Sequence, residues 1–202
     1  MSDLREEFIG LFRQNIARRG ADKLLDWMET TDFFTAPAST RFHAAYAGGL
    51  LEHSLNVYRV LMEKHYDPET DDLESCTICA LLHDLCKAGF YDVEYRNRKN
   101  DAGVWEKVPV YVVNDRFPYG HGEKSVFLIE RFMKLKNEEA VAIRWHMGGF
   151  DAAARALGPG CGLLPAHDRS HHDQRERRPG CAPRSGAGHG WGLPDPQRLP
   201  AR

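Results

Sequence analysis

Six of the ten histidines lie before residue 156, and four of those six stand beside glycines or acids. They are His53 in Gly48-Gly49-Leu50-Leu51-Glu52-His53-Ser54, His83 in Leu81-Leu82-His83-Asp84-Leu85-Cys86-Lys87, His121 in Gly120-His121-Gly122-Glu123, and His146 in Arg144-Trp145-His146-Met147-Gly148-Gly149. The His83-Asp84 pair closes an otherwise apolar run, where burying a carboxylate is costly unless a metal or a hydrogen-bonding partner compensates. Neutral imidazoles and a carboxylate drawn from several helices into one core are the ingredients of a divalent-metal site. Imidazole with carboxylate and no thiolate suits Fe, Mn, Ni, Co or Zn better than Ca. A single histidine on a helix is more often an ordinary core or surface residue; four of them, each beside glycines or an acid, favour the metal reading. Lys87 follows Asp84 by three residues and His83 by four, so a helix continuing that far would put all three on one face. Its other reading is a solvated helix end that complements the helix dipole.

The elements that must position these residues are mostly helical. Leu4, Phe8, Leu11, Phe12 and Ile16 recur at spacings of three and four, predicting a helix over 3–19 that Gly20 stops. A short helix over 21–29 and a loop over 30–41 follow, then helices over 49–65 and about 70–87. Tyr91, Val93 and Tyr95 alternate, as do Val108, Val110 and Val112, with Asn100-Asp101-Ala102-Gly103 between them, which is a β-hairpin pattern. Helical periodicity returns after Gly122, and Asn137-Glu138-Glu139 reads as the N-cap and acidic first turn of a last helix reaching about His146. The fold class expected is mostly α: a helical bundle with one inserted β-hairpin.

Composition divides the chain unevenly. The net charge of −2 over 202 residues is the sum of −5 over residues 1–155 and +3 over residues 156–202. The last 47 residues hold seven of eleven prolines and eight of eighteen glycines, and contain no Val, Ile, Phe, Tyr, Met, Thr or Lys. Such a segment cannot bury enough apolar surface to offset chain entropy. Residues 1–155 are therefore expected to be the folding unit and 156–202 a Gly/Pro/Arg-rich tail. Two origins of the tail stand open: a high-GC coding region read in the wrong frame, or a natural disordered segment whose arginines bind RNA or an acidic partner. No apolar run is long enough to span a membrane and the acidic start is not that of a signal peptide, so a cytoplasmic protein is expected. Five scattered cysteines do not suggest a disulfide framework, and Cys76 and Cys79 read as core packing.

The order His53, then His83-Asp84, resembles the HD superfamily of metal-dependent phosphohydrolases, whose members share a helical bundle with the His-Asp doublet at its centre. His121 and His146, with Lys87 completing an HDxxK arrangement, are similar to the two-metal subset typified by the HD-GYP phosphodiesterases. The stretch from His43 to Ser54 resembles the HD domain of YhaM-type exoribonucleases more closely. The resemblance covers about residues 43–151. It implies His53, His83 and Asp84 as ligands of a first ion, Asp84 as a bridge, and His121 and His146 as ligands of a second. One or two divalent ions (Mn, Fe, Ni, Co, Zn or Mg) would lower the pKa of an attacking water and neutralise phosphoryl charge, with Asp84 and Lys87 as the catalytic residues. Two features depart from the pattern. His146-Met147 stands where related domains often carry adjacent histidines, and the Asp on a later helix that closes the family's site has no counterpart. Of the later acids, Asp151 stands alone, and His167-Asp168 follows a proline that disfavours a helix.

The hairpin separates the His-Asp doublet from His121 and is expected to overhang the pocket. Its Arg96, Arg98, Lys99 and Lys107, interleaved with Tyr91, Tyr95 and Trp105, suit a phosphate-bearing ligand with a stackable base. The other reading is a solvated hairpin whose aromatics pack on the bundle. His43, Arg96, Arg98 and Lys99 are the candidate substrate-binding residues, and a nucleotide or short RNA or DNA the expected substrate. The expected function is divalent-metal-dependent phosphomonoester or phosphodiester hydrolysis; the alternative is a metal-binding or nucleotide-sensing module that has lost catalysis.

Overall fold

The computed structural model of the chain describes residues 2–41 and 44–148. Six helices and one hairpin follow in order: α1 (Ser2–Asn15), α2 (Ala21–Glu29), α3 (Gly49–Lys64), α4 (Leu73–Leu82), β1 (Tyr91–Lys99), β2 (Trp105–Val113), α5 (His121–Glu130) and α6 (Asn137–Arg144). The chain is thus mostly α, with a two-stranded antiparallel ribbon as its only sheet among the described residues. The expected boundary at residue 155, the tail beyond it, His43, Asp151 and His167-Asp168 all lie outside the described residues.

α4 is the central helix. Thr77 to Leu82 are all buried, as befits a segment apolar on every side, and α1, α3 and α6 pack around it. Phe8 and Phe12 of α1, Leu24, Leu25 and Met28 of α2, and Leu50, Leu51 and Leu55 of α3 complete the core with Ile129, Met133 and Ile143. The segment expected to be a loop over 30–41 is irregular, yet it drives Phe33 and Phe34 into that core, in ring contact with Phe8.

α1 ends four residues earlier than the periodicity predicts. The Ala17 N–H bonds the Glu74 carboxylate at 2.9 Å instead of a helical carbonyl. Arg18 then reaches Glu139 through two hydrogen bonds of 2.6 and 2.9 Å and Glu74 at 3.0 Å. The end of α1 is thereby tied to α4 and α6, and Glu139, only 1% exposed, keeps a charged partner. Asp72 caps α4 by accepting from the Ser75 N–H and hydroxyl, and Lys136 bonds the same carboxylate oxygen at 2.6 Å. Lys136, rather than Asn137, is the cap residue of α6, and its N–H bonds the Glu139 side chain at 2.7 Å.

Candidate metal centre

The helix expected over 70–87 breaks where the chemistry begins. α4 stops at Leu82, Asp84 leaves helical geometry at φ −103°, ψ 19°, and Leu85–Lys87 form one 3₁₀ turn. The shared helical face expected for His83, Asp84 and Lys87 therefore does not exist; a tight turn brings the groups together instead. Its backbone is satisfied elsewhere, the Cys86 N–H bonding the buried Ser125 hydroxyl of α5 at 3.0 Å. His83 donates from Nδ1 to the Ala80 carbonyl at 3.0 Å, which leaves the Nε2 lone pair facing inward.

Asp84 is the hub. Its Oδ2 lies 2.8 Å from Lys87 Nζ, 3.3 Å from His83 Nε2 and 3.4 Å from His53 Nε2. Its Oδ1 lies 2.9 Å from His121 Nε2 and 3.3 Å from His146 Nε2. His53 Nε2 and His83 Nε2 are 3.1 Å apart. Burial works to raise the Asp84 carboxyl's pKa. The Lys87 ammonium at 2.8 Å and the imidazoles around the carboxylate overcome it and hold the group well below the usual carboxylate range. Lys87 is thus on the carboxylate with its side chain 12% exposed, not in solvent.

Two glycines make this approach possible. A Cβ on Gly49, one turn before His53, would collide with the Ala44 carbonyl. A Cβ on Gly122 would collide with the Arg144 backbone, so glycine there lets the start of α5 lie against the end of α6. The Glu123–Arg144 ion pair fastens the same junction. His121 and His146 consequently stand with ring centroids 5.0 Å apart, and His146 is 4.9 Å from His83. His146 donates from Nδ1 to the Ile143 carbonyl at 2.7 Å, the same device as His83 uses. Met147 is 39% exposed.

Asp84 Oδ1, His121 Nε2 and His146 Nε2 are buried and close together, yet none of the three has a hydrogen-bond partner. Native structures rarely leave such atoms unsatisfied. Three acceptors converging without donors suit a cation. The ligand atoms of His53, His83 and Asp84 lie within 4.8 Å of one another, as do those of Asp84, Cys86 and His121. His53, His83 and Asp84 therefore fit a divalent metal, and the other oxygen of the same carboxylate faces His121 and His146. Cys86, which the sequence reading leaves out of the ligand set, has its Sγ 3.2 Å from His121 Nδ1. Burial and the Asp84 charge push its thiol up to about 12. The signal available was its place inside the His-Asp…Lys turn.

The hairpin registers Tyr91 with Val113 through Lys99 with Trp105. The two strands pack chiefly on each other and make few contacts with the helices. At its base the Tyr91 hydroxyl donates to the Ala38 carbonyl at 3.2 Å, and burial with the Asp84 charge pushes the phenol's pKa up. Arg96, Arg98 and Lys99 are exposed farther out, Arg96 being roughly 16 Å along the strand from Tyr91 at ~3.3 Å per residue. They are not brought to the histidine cluster. Nor do the outer aromatics pack on the bundle: Tyr95 is 70% and Trp105 65% exposed. Cys79 is buried, its thiol pushed up to about 12 chiefly by that burial, and His65 is an exposed helix end.

A family model described as HD domain matches residues 50–182, about two thirds of the chain. The match takes in His53, His83, Asp84, Lys87, His121 and His146, begins after His43, and runs beyond the change of composition at residue 155. No curated protein and no solved structure matches the chain.

Proposed function

Because the chain belongs to the HD domain family, whose members are in general metal-dependent phosphohydrolases, we propose that it hydrolyses phosphate esters of a nucleotide or short nucleic acid. The observation that carries this reading is the Asp84 carboxylate, one oxygen facing His53 and His83 and the other facing His121 and His146. His53, His83 and Asp84 would hold one ion, and Asp84, His121 and His146 a second. This sharing supports the two-ion arrangement that the likeness to HD-GYP phosphodiesterases implies. When bound, such ions activate water and neutralise phosphoryl charge.

The chain's own residues supply the rest. Nδ1 donation by His83 and His146 fixes the tautomer that presents Nε2 to the cluster. Lys87 spends one of its three N–H bonds on Asp84 Oδ2 at 2.8 Å, which leaves donors for a phosphoryl oxygen. The outer hairpin supports a ligand longer than one phosphate. Tyr95, Lys99, Trp105 and Lys107 share one face and Arg96 and Arg98 the other, with Lys99 Nζ 5.2 Å above the Trp105 ring. Cations beside exposed aromatics suit a phosphate backbone with stacked bases.

A second reading, an ion-binding sensor without catalysis, is favoured by one fact: Asp84 is the sole carboxylate in either donor group among the described residues. Hydrolysis of bis-p-nitrophenyl phosphate, p-nitrophenyl phosphate and short RNA and DNA oligomers in added Mn²⁺ separates the two. Phosphohydrolase function predicts turnover that Asp84→Asn lowers at least a hundredfold. Ion binding without cleavage of any ester, with His83→Ala altering binding alone, would establish the sensor instead.

A further inference from the structure

We propose that Cys86 is the positioning residue of His121, and not a ligand of the ion that His121 would hold. The proposal rests on the two-ion reading above. His83 and His146 both follow helical turns, so each finds a carbonyl three residues back to accept its Nδ1–H, at Ala80 and Ile143. His121 has no such turn beneath it, because it is the first residue of α5 and the residue three before it is Pro118, outside the helix. Its Nδ1 meets the Cys86 sulfur instead, at 3.2 Å.

The ring of His121 uses both of its nitrogens. The two nitrogens of an imidazole sit on different edges of the ring and their lone-pair directions diverge. Nε2 faces Asp84 Oδ1 at 2.9 Å while Nδ1 meets Sγ at 3.2 Å, so the sulfur engages the ring nitrogen that an ion on Nε2 would leave free, although it also lies within 4.8 Å of an Asp84 oxygen. Cys86 is itself anchored to α5, since its N–H bonds Ser125 Oγ at 3.0 Å and Ser125 lies one turn after His121. The turn after the His-Asp pair thus grips both the ring of His121 and the helix that carries it. Sulfur is a weak acceptor compared with the carbonyls serving His83 and His146. His121 is therefore the least firmly oriented of these three rings.

The test is Mn²⁺ and Co²⁺ titration by calorimetry and absorption of the whole chain, its Cys86→Ala and Cys86→Ser variants, and a His121→Ala control that identifies the ion depending on His121. Orienting partners of metal ligands are worth roughly 10–100-fold in affinity. Cys86→Ala is expected to weaken the His121-dependent ion at least tenfold and leave the ion dependent on His53 within twofold, which also reports an intact fold. Cys86→Ser, which restores a polar partner, is expected to recover most of the loss. Unchanged affinity in Cys86→Ala overturns the proposal while leaving the two-ion reading standing. A near-ultraviolet sulfur-to-cobalt band that Cys86→Ser abolishes overturns it by making the thiol a ligand. A chain that binds no ion dependent on His121 overturns both.

Discussion

Addition of a divalent ion is expected to raise the melting temperature of this chain by an amount the cluster allows to be worked out. In the absence of metal, Asp84 Oδ1, His121 Nε2 and His146 Nε2 are buried without hydrogen-bond partners. A buried polar atom left unsatisfied costs about 1–3 kcal/mol, so a cation facing these three relieves a local destabilisation that a water molecule relieves only in part. An ion that binds the folded chain alone, at a hundred times its Kd, adds about 2.7 kcal/mol of stability. For a domain of this size class that is about 5–11 °C. The assay is thermal unfolding of chelator-treated protein against Mn²⁺ concentration, with Co²⁺, Ni²⁺, Zn²⁺ and Fe²⁺ as parallel series and EDTA as reversal. Asp84→Asn keeps the shape of the side chain but removes the charge both donor groups share. It is expected to abolish the shift, and to start from a lower melting temperature because it leaves Lys87, 2.8 Å away and largely buried, without its counter-charge. No shift with any of the five ions, or an equal shift in Asp84→Asn, would mean that the unsatisfied atoms do not mark a metal site.

Other perturbations test how the cluster is assembled. Gly122→Ala places a methyl group against the Arg144 backbone and is expected to cost about 1–3 kcal/mol in urea unfolding and to weaken ion binding by separating His121 from His146. Arg18→Met leaves the Glu139 carboxylate, 1% exposed, without its two-pronged partner; a loss of about 3–5 kcal/mol is expected, with partial recovery when Glu139→Gln is added. Lys136 and Ser75 hold the Asp72 carboxyl down at about 2, so its capping of α4 stabilises the fold at every pH above the ordinary carboxylate value and fades as pH falls through about 2. Asp72→Ala is accordingly expected to cost about 1 kcal/mol at pH 7, a difference that closes between about pH 4 and pH 2 in urea titrations. Replacing Arg96, Arg98 and Lys99 together by serine is expected to raise KM for an oligonucleotide severalfold more than for bis-p-nitrophenyl phosphate, and equal effects on both would remove the hairpin from substrate binding.

Where one face of an element differs from the other, periodicity alone located it. α2 spans 21–29 as expected, α3 starts at Gly49, and the hairpin strands carry the alternating residues. The errors fall where that contrast is missing or where a side chain outcompetes the backbone. α4 is buried all round, so nothing in its pattern marks its end, and Leu85 and Cys86 read as a continuing apolar run although the helix has stopped at Leu82. α1 stops early because the Glu74 carboxylate takes the Ala17 N–H, a contact with a residue 57 positions away. Phe33 and Phe34 reach the core from a segment whose neighbouring Thr, Asp and Pro residues signal only a loop.

The ligand types were readable for a reason different from the one that made the helices readable. A carboxylate and a histidine at the end of an apolar run are unexplained by packing, so their presence alone demands a partner, and the other histidines are the residues able to supply one. What no spacing could show is the way they meet. A continuous helix would have offered Asp84 to one neighbour; the break after Leu82 turns it so that its two oxygens face opposite groups. The same break releases the Cys86 N–H to Ser125 and brings the thiol to His121. The error in the length of α4 and the omission of Cys86 are therefore one event seen twice. A substitution that extended α4 through residue 87 would be expected to lose both the shared carboxylate and the orientation of His121.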